Sequence, residues 1–425
     1  MQIKWIVLGV VILMYTLIII FPDKKAFCSL GTAMVMLFLG AVSPGEAAGL
    51  VHWNVLMIFT GSHIIAELFI YSGAPAAIAD ILVRNSPAMG KAMTAIIIIT
   101  GLISAIVENV AAVLVMTPIV MTLCAKLKKN PSYFIAGLAV MANLQGTATL
   151  VGDPPSMIFA EYAYFGFNDF FVYQGKASIF FAVQIGMLVG VLFFYGFFAK
   201  RYREQVSIEQ ERILSPVPSI LLLCMIAGLT AASFLYGGIS PASGILVLSL
   251  GITGLIWFKW IRKEPGKKVR ALIKDLDWDT VFFLAGVFIV VGVLSSVKLP
   301  EDFAELLSRI VGDHILLGFA LITGFSILIS GFIDNVPYIT AVLPVASSLA
   351  KDLNIKPELY MFAVLIGSCM GGNLTPLGAS ANVVSMGILK KRGFAMNFTQ
   401  WIKIGLPFTL FTTGASSVFI WLIWR

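Results

Sequence analysis

Two short polar signatures sit inside long apolar runs of this chain: Glu108-Asn109-Val110 and Asp334-Asn335-Val336. A carboxylate deep in a spanning run costs at least about 2.5–3.5 kcal/mol, and is kept where it lines a cavity, meets a cation or carries a proton. The same acid–Asn pair in two places argues against accident. Two further stretches, GTATLVGDPPS at 146–156 and GNLTPLGASAN at 372–382, interrupt apolar runs with glycine, proline and hydroxyl residues. Glycine admits unusual conformations and close approach, while proline removes a donor and stops a helix. Each stretch is expected to break a helix and expose carbonyls, hydroxyls and half-helix ends. At membrane depth such backbone is viable only where it lines a site. Asp153 stands in the first break alone, its counterpart in the second being Ala379. It acts either as a proton carrier or as a cap on the following half-helix, and both readings stay open. His63 and Glu67 lie four apart on one helical face, a spacing that serves a proton relay or a plain structural hydrogen bond.

The elements that must hold these residues are helices in a bilayer. Of 425 residues, 59% are hydrophobic and 12% charged, against about a quarter charged in a soluble domain. The chain reads as an all-α polytopic membrane protein. Its first apolar run begins at residue 4 without a small-residue cleavage site, so it is expected to be retained as a span. Cys28, Cys124, Cys224 and Cys369 are scattered, which favours neither a disulfide framework nor a metal site. No cofactor is expected. The net charge of +7 is read as membrane topology rather than nucleic-acid binding.

The chain also repeats itself. ENVAAVLVMTP (108–118) aligns with DNVPYITAVLP (334–344) at an offset of 226. The same offset pairs Asn109 with Asn335, Pro118 with Pro344, Pro131 with Pro357, Gly146 with Gly372, Thr149 with Thr375 and Gly152 with Gly378. Upstream, HWNVLMIFTG (52–61) matches DWDTVFFLAG (277–286) at 225, Trp53 against Trp278. A first repeat is therefore expected over 1–198, with a double-length hairpin at 89–125 and a broken helix at 132–164. After a cytoplasmic linker at 199–217, a second repeat is expected over 218–425, with its hairpin at 314–350 and broken helix at 358–389. Five single crossings in each make the repeats inverted. Following that alternation, 22 of the 29 Lys and Arg fall on one side. The bias fixes that side as cytoplasmic and puts both termini outside.

None of the tip and break segments contains Lys or Arg in 92–125, 132–164, 315–350 or 358–389. The ionisable groups expected at the site are acids. That favours a cation, a proton or a neutral polyhydroxy solute over a multiply charged anion.

With ENVAAVLVMTPIV followed by GTATLVGDPPSMI, the chain resembles the ion transporter superfamily over nearly its whole length, from about residue 5 to 424. Within it, the chain is most similar to the branch of the arsenical pump membrane proteins and the P protein. It departs at Ser156, where that pattern has Asn; the second break keeps Asn382. The sodium/dicarboxylate branch carries Ser-Asn-Thr at both tips, against Glu-Asn-Val and Asp-Asn-Val here. The resemblance implies a scaffold and a mobile part made of two re-entrant hairpins and two unwound helices, working by elevator-type alternating access. It implies substrate or ion binding at Asn109, Gly146, Thr147, Thr149, Asn335, Gly372, Asn373, Thr375 and Asn382, with coupling at Glu108, Asp153 and Asp334.

The activity expected is export of arsenite or antimonite in exchange for protons across the cytoplasmic membrane, and not an enzyme. A sodium/proton antiporter is the alternative, followed by an anion or dicarboxylate carrier. Membrane lipid, a homodimer and a soluble ATPase docked on the basic 199–217 and 259–277 loops are the further partners the resemblance raises. Cys369, shortly before the second break, has no assigned role.

Overall fold

The structure is a computed structural model that describes residues 2–21, 24–84, 88–198, 202–204, 213–238 and 240–425. It is a helical membrane protein with one two-residue β-hairpin, Val172–Tyr173 against Lys176–Ala177, among the described residues. Most of the expected linker at 199–217 lies outside the described residues, 202–204 and 213–217 excepted.

The sequence offset reappears as helix boundaries. Met89–Ser104 and Asn109–Lys126 form the first hairpin; Ile315–Ser330 and Asn335–Asp352, each 226 residues later, form the second. The first broken helix is Ser132–Gly146 followed by Pro154–Ala163, and the second is Pro357–Gly371 followed by Ser380–Lys391. Trp53–Tyr71 and Trp278–Ser296 correspond at 225.

Among the described residues, eight helices are long and apolar enough to cross a membrane; one of them is the hairpin arm Asn109–Lys126, which leaves seven of the ten single crossings expected. Two of the missing ones are the broken helices, whose pieces are each too short. A third is the expected 27–45 span, which appears as Lys25–Phe38 and then Pro44–Leu50. The second piece is started by a capping box between Ser43 and Glu46, so a competing helix start divides the run. Stretches read as loops in the sequence also hold helices: Ala74–Arg84, Gly266–Asp275 and Leu299–Val311. Leu299–Val311 buries Leu299, Pro300, Ala304 and Val311 and exposes Glu301, Asp302 and Arg309. That is an amphipathic pattern, which a search for long apolar runs passes over.

Two crossings between the halves set the frame. Trp53–Tyr71 packs along Pro241–Ile256, and Trp278–Ser296 along Lys25–Phe38. At each crossing a glycine lets the backbones meet. A Cβ on Gly61 would stand 2.6 Å from the Val247 carbonyl, and one on Gly286 would stand 2.7 Å from the Leu30 amide. Small residues at such contacts are how helices pack closely in lipid.

Candidate functional site

Both hairpin tips turn back at their acidic residues. Glu108 begins the arm Asn109–Lys126, its Oε2 accepting a hydrogen bond from the Ala111 amide at 3.0 Å. Asp334 begins Asn335–Asp352, its Oδ1 accepting from the Val336 amide at 3.1 Å. Each carboxylate thus caps a helix start, where the dipole and free amides favour negative charge.

The tips are docked onto the breaks by the same contacts in both halves. Ser104 donates to the Ala142 carbonyl and Ser330 to the Ser368 carbonyl, its partner 226 residues on. Thr149 Oγ1 donates to the Ala105 carbonyl, and Thr375 Oγ1 to that of Gly331. Gly146 holds the close approach: a Cβ there would collide with the carboxamide of Asn109.

A chain of buried carboxamides joins the two halves. Asn109 Nδ2 donates to Asn143 Oδ1 at 3.3 Å, and Asn143 Nδ2 lies 2.9 Å from both Asn373 Oδ1 and Asn382 Oδ1. Asn373 in turn donates to the Val140 carbonyl, and Asn382 to those of Gly372 and Thr375.

A cavity of about 220 Å³ lies against this junction. Of the residues expected at the site, Glu108, Asn109, Asp153, Asp334 and Asn335 line it. Gly146, Thr147, Thr149, Gly372, Asn373, Thr375 and Asn382 do not; they are buried one layer behind, and the two asparagines there are spent on the carboxamide chain. Asp153 occupies the N-cap position of Pro154–Ala163, yet its side chain accepts no hydrogen bond from that helix. Its Oδ2 is buried without a partner. His63 and Glu67 both reach the cavity wall, His63 with its ring 5.2 Å from that of Phe59.

Sequence reasoning missed six polar wall residues, the hydroxyl residues Thr280 and Ser380 and four with stronger consequences. Asn143, three positions before Gly146, is the hub of the amide chain. Lys25, Asp275 and Asp277 come from segments read only as topology-setting loops. Lys25 Nζ lies 3.4 Å from Asp334 Oδ2. The expectation of a site without a basic side chain is therefore corrected: the tips and breaks contain none, but a neighbouring helix start supplies one. Acids still prevail, with Glu67, Glu108, Asp153, Asp275, Asp277 and Asp334 facing one lysine and one histidine. Among the described residues, no group of three or more His, Cys, Asp and Glu could hold a metal ion.

A second cavity, about 620 Å³, is lined by His52, Glu161, Tyr164 and Glu358. Three elements reach both cavities, one of them Trp278–Ser296 with Thr280 at the first and Phe288 and Ser295 at the second. Asn335–Asp352 presents Asn335 and Val336 to the first, and Thr340, Leu343 and Ser347 to the second. The first broken helix presents Asp153 and Pro154 to one, Ile158 and Glu161 to the other.

Known proteins share this architecture. The chain is 28% identical over 417 residues to an uncharacterized transporter of Mycobacterium tuberculosis (strain ATCC 25618 / H37Rv), covering 96% of each chain. It is 24% identical over 390 residues to the P protein of Mus musculus, covering 74% of this chain and 47% of that one. The YdaH transporter of Alcanivorax borkumensis shares the fold with a TM-score of 0.63 at 16% identity, covering 92% of this chain and 88% of that one. MtrF of Neisseria gonorrhoeae, described as illuminating a class of antimetabolite efflux pumps, gives 0.56 at 17% identity over 91% and 83%. The sequence model of the family described as CitMHS, citrate transporter, matches residues 15–367, and the chain belongs to that family of membrane transporters.

Proposed function

We propose that this chain is a proton-coupled secondary carrier of the cytoplasmic membrane, with Glu108, Asp153 and Asp334 handling the protons. The observation that carries the reading is the convergence of these three carboxylates, from two tips and one break, on one cavity with Asn109 and Asn335. Elements that line this cavity and extend to a second one support alternating access, with the hairpins and broken helices moving together against the other helices. The repeats at 1–198 and 218–425 are proposed to be inverted, which lets the two tips enter from opposite faces.

The solute proposed is arsenite or antimonite, exported as protons enter. Six carboxylates against one lysine and one histidine repel a bare polyanion, whereas arsenite is largely an uncharged trihydroxy species at neutral pH. A second reading, citrate, is favoured by Lys25 in the wall and by the description of the family. In that reading citrate enters with its charge neutralised by protons or cations.

Everted vesicles separate the two, with the pH gradient imposed acid inside to drive arsenite antiport and acid outside to drive citrate symport. Accumulation of arsenite faster than in vesicles lacking the protein supports the first reading. Accumulation of citrate alone replaces it with the second, and acceleration of neither overturns both.

A further inference from the structure

The short helix Gly266–Asp275, GKKVRALIKD, has two faces. Val269, Leu272 and Ile273 share one, and Val269 and Leu272 are half-buried against the core. Lys267, Arg270 and Lys274, spaced i, i+3 and i+7, share the other. All three are exposed, and none makes an ion pair among the described residues. Lys268, by contrast, is taken by Glu264 at 2.8 Å. The helix has no slack to leave the membrane surface. Residues 262–265 join it to the turn Trp257–Ile261 that ends one span, and residues 276–277 join it to Trp278–Ser296. The Trp278 indole closes the corner by donating to the Ile273 carbonyl at 2.7 Å. Trp260 and Trp278 are exposed at the two span ends, and indole rings favour the headgroup level.

The other half builds the same corner without the charge. There Trp53 donates to the Ala48 carbonyl of Pro44–Leu50, the same contact 225 residues earlier. Residues 259–274 contain seven Lys and Arg, whereas the matching 34–49 contain one Glu and no Lys or Arg. The corner itself therefore has no need of basic residues. Topology needs basic residues on one side of the membrane, but it does not sort them onto one helical face opposite an apolar one.

We propose that the exposed face of Gly266–Asp275 docks the phosphate headgroups of anionic membrane phospholipids, with Lys267, Arg270 and Lys274 as the contacts. A basic patch pinned beside the bilayer meets that phosphate at high local concentration, and each basic residue adds attraction. The helix ends at Asp275, which with Asp277 lines the first cavity. Lipid held at Lys274 therefore sits directly beside a residue of the cavity wall. The proposal stands apart from the carrier reading, and its test measures no flux.

Thermal unfolding of the purified full chain is followed in detergent micelles carrying increasing phosphatidylglycerol or phosphatidylcholine. The wild-type midpoint is expected to rise saturably with phosphatidylglycerol and much less with phosphatidylcholine. Arg270→Gln is expected to raise the half-saturating phosphatidylglycerol about fivefold. The triple variant Lys267→Gln, Arg270→Gln, Lys274→Gln is expected to lose the difference between the two lipids. A control triple, Lys390→Gln, Lys391→Gln, Arg392→Gln, removes equal charge from exposed residues elsewhere and is expected to keep it. Equal responses of the wild type to the two lipids overturn the proposal. So does a difference that survives the first triple variant, or one lost equally in the control. A rise with free glycerol phosphate as large as with phosphatidylglycerol overturns the lipid in favour of a soluble anion. A rise with polyglutamate but not with phosphatidylglycerol overturns it in favour of an acidic protein. If the first triple variant does not fold, an unshifted half-saturation in Arg270→Gln overturns the proposal alone.

Discussion

Asn143 accepts a hydrogen bond from one carboxamide and donates to two others, so it ties the first tip to the second break. Replacing it with alanine leaves three buried amides short of a partner. At about 1 kcal/mol or more for each bond lost, Asn143→Ala is expected to lower stability by roughly 3 kcal/mol. A fall in the thermal unfolding midpoint in detergent checks this; an unchanged midpoint contradicts the hub role. The acidic tips were legible in the sequence because a charge inside an apolar run has few explanations. Asn143 was not, because an amide beside Gln145 near the end of an apolar helix resembles any tolerated polar residue. Its importance arises from Asn373 and Asn382, more than 200 residues away. Lys25 was misread for a related reason: beside a span end, a lysine that sets topology and one that pairs with a distant Asp334 look alike.

Helices at this scale repeat with little error. The hairpin arms recur at an offset of 226, and the crossings at Gly61 and Gly286 recur at 225. Repetition made the hairpins and breaks readable, since each copy vouches for the other. The short amphipathic helices were hidden because neither length nor continuous apolarity marks them. The crossings give a direct test of packing. A Cβ on Gly61 meets the backbone of Val247 and Leu248 at 2.6 Å, whereas one on Gly324, also mid-helix, has nothing within 4 Å. Gly61→Ala is expected to destabilise by about 1–3 kcal/mol, the range for overpacking. Gly324→Ala is expected to be neutral or slightly stabilising, by helix propensity. Equal unfolding midpoints for the two variants would sink the close-packing account.

On the scale of the whole molecule, the charge bias makes a topological claim. Lys267, in the short helix Gly266–Asp275, and Asp313, just after Leu299–Val311, are both exposed. The bias puts them on opposite sides, Lys267 in the cytoplasm and Asp313 outside. In a cysteine-free background, Asp313→Cys is expected to react with a membrane-impermeant thiol reagent in intact cells, and Lys267→Cys only after permeabilisation. The reverse pattern would invert the whole assignment, termini included. Membrane class and helix plan were readable from composition and repetition. Solute identity was not, because it depends on the wall of one cavity, and that wall draws on helices the motifs never touch.

Proton movement itself tests the central claim most directly. Purified protein in liposomes holding a pH-sensitive dye, given an arsenite or citrate gradient with no other driving force, is expected to move protons against arsenite or together with citrate. Glu108→Gln and Asp334→Asn are expected to abolish that movement while still eluting as folded protein. Solute flux without proton movement, or unchanged proton movement in both variants, would contradict the account.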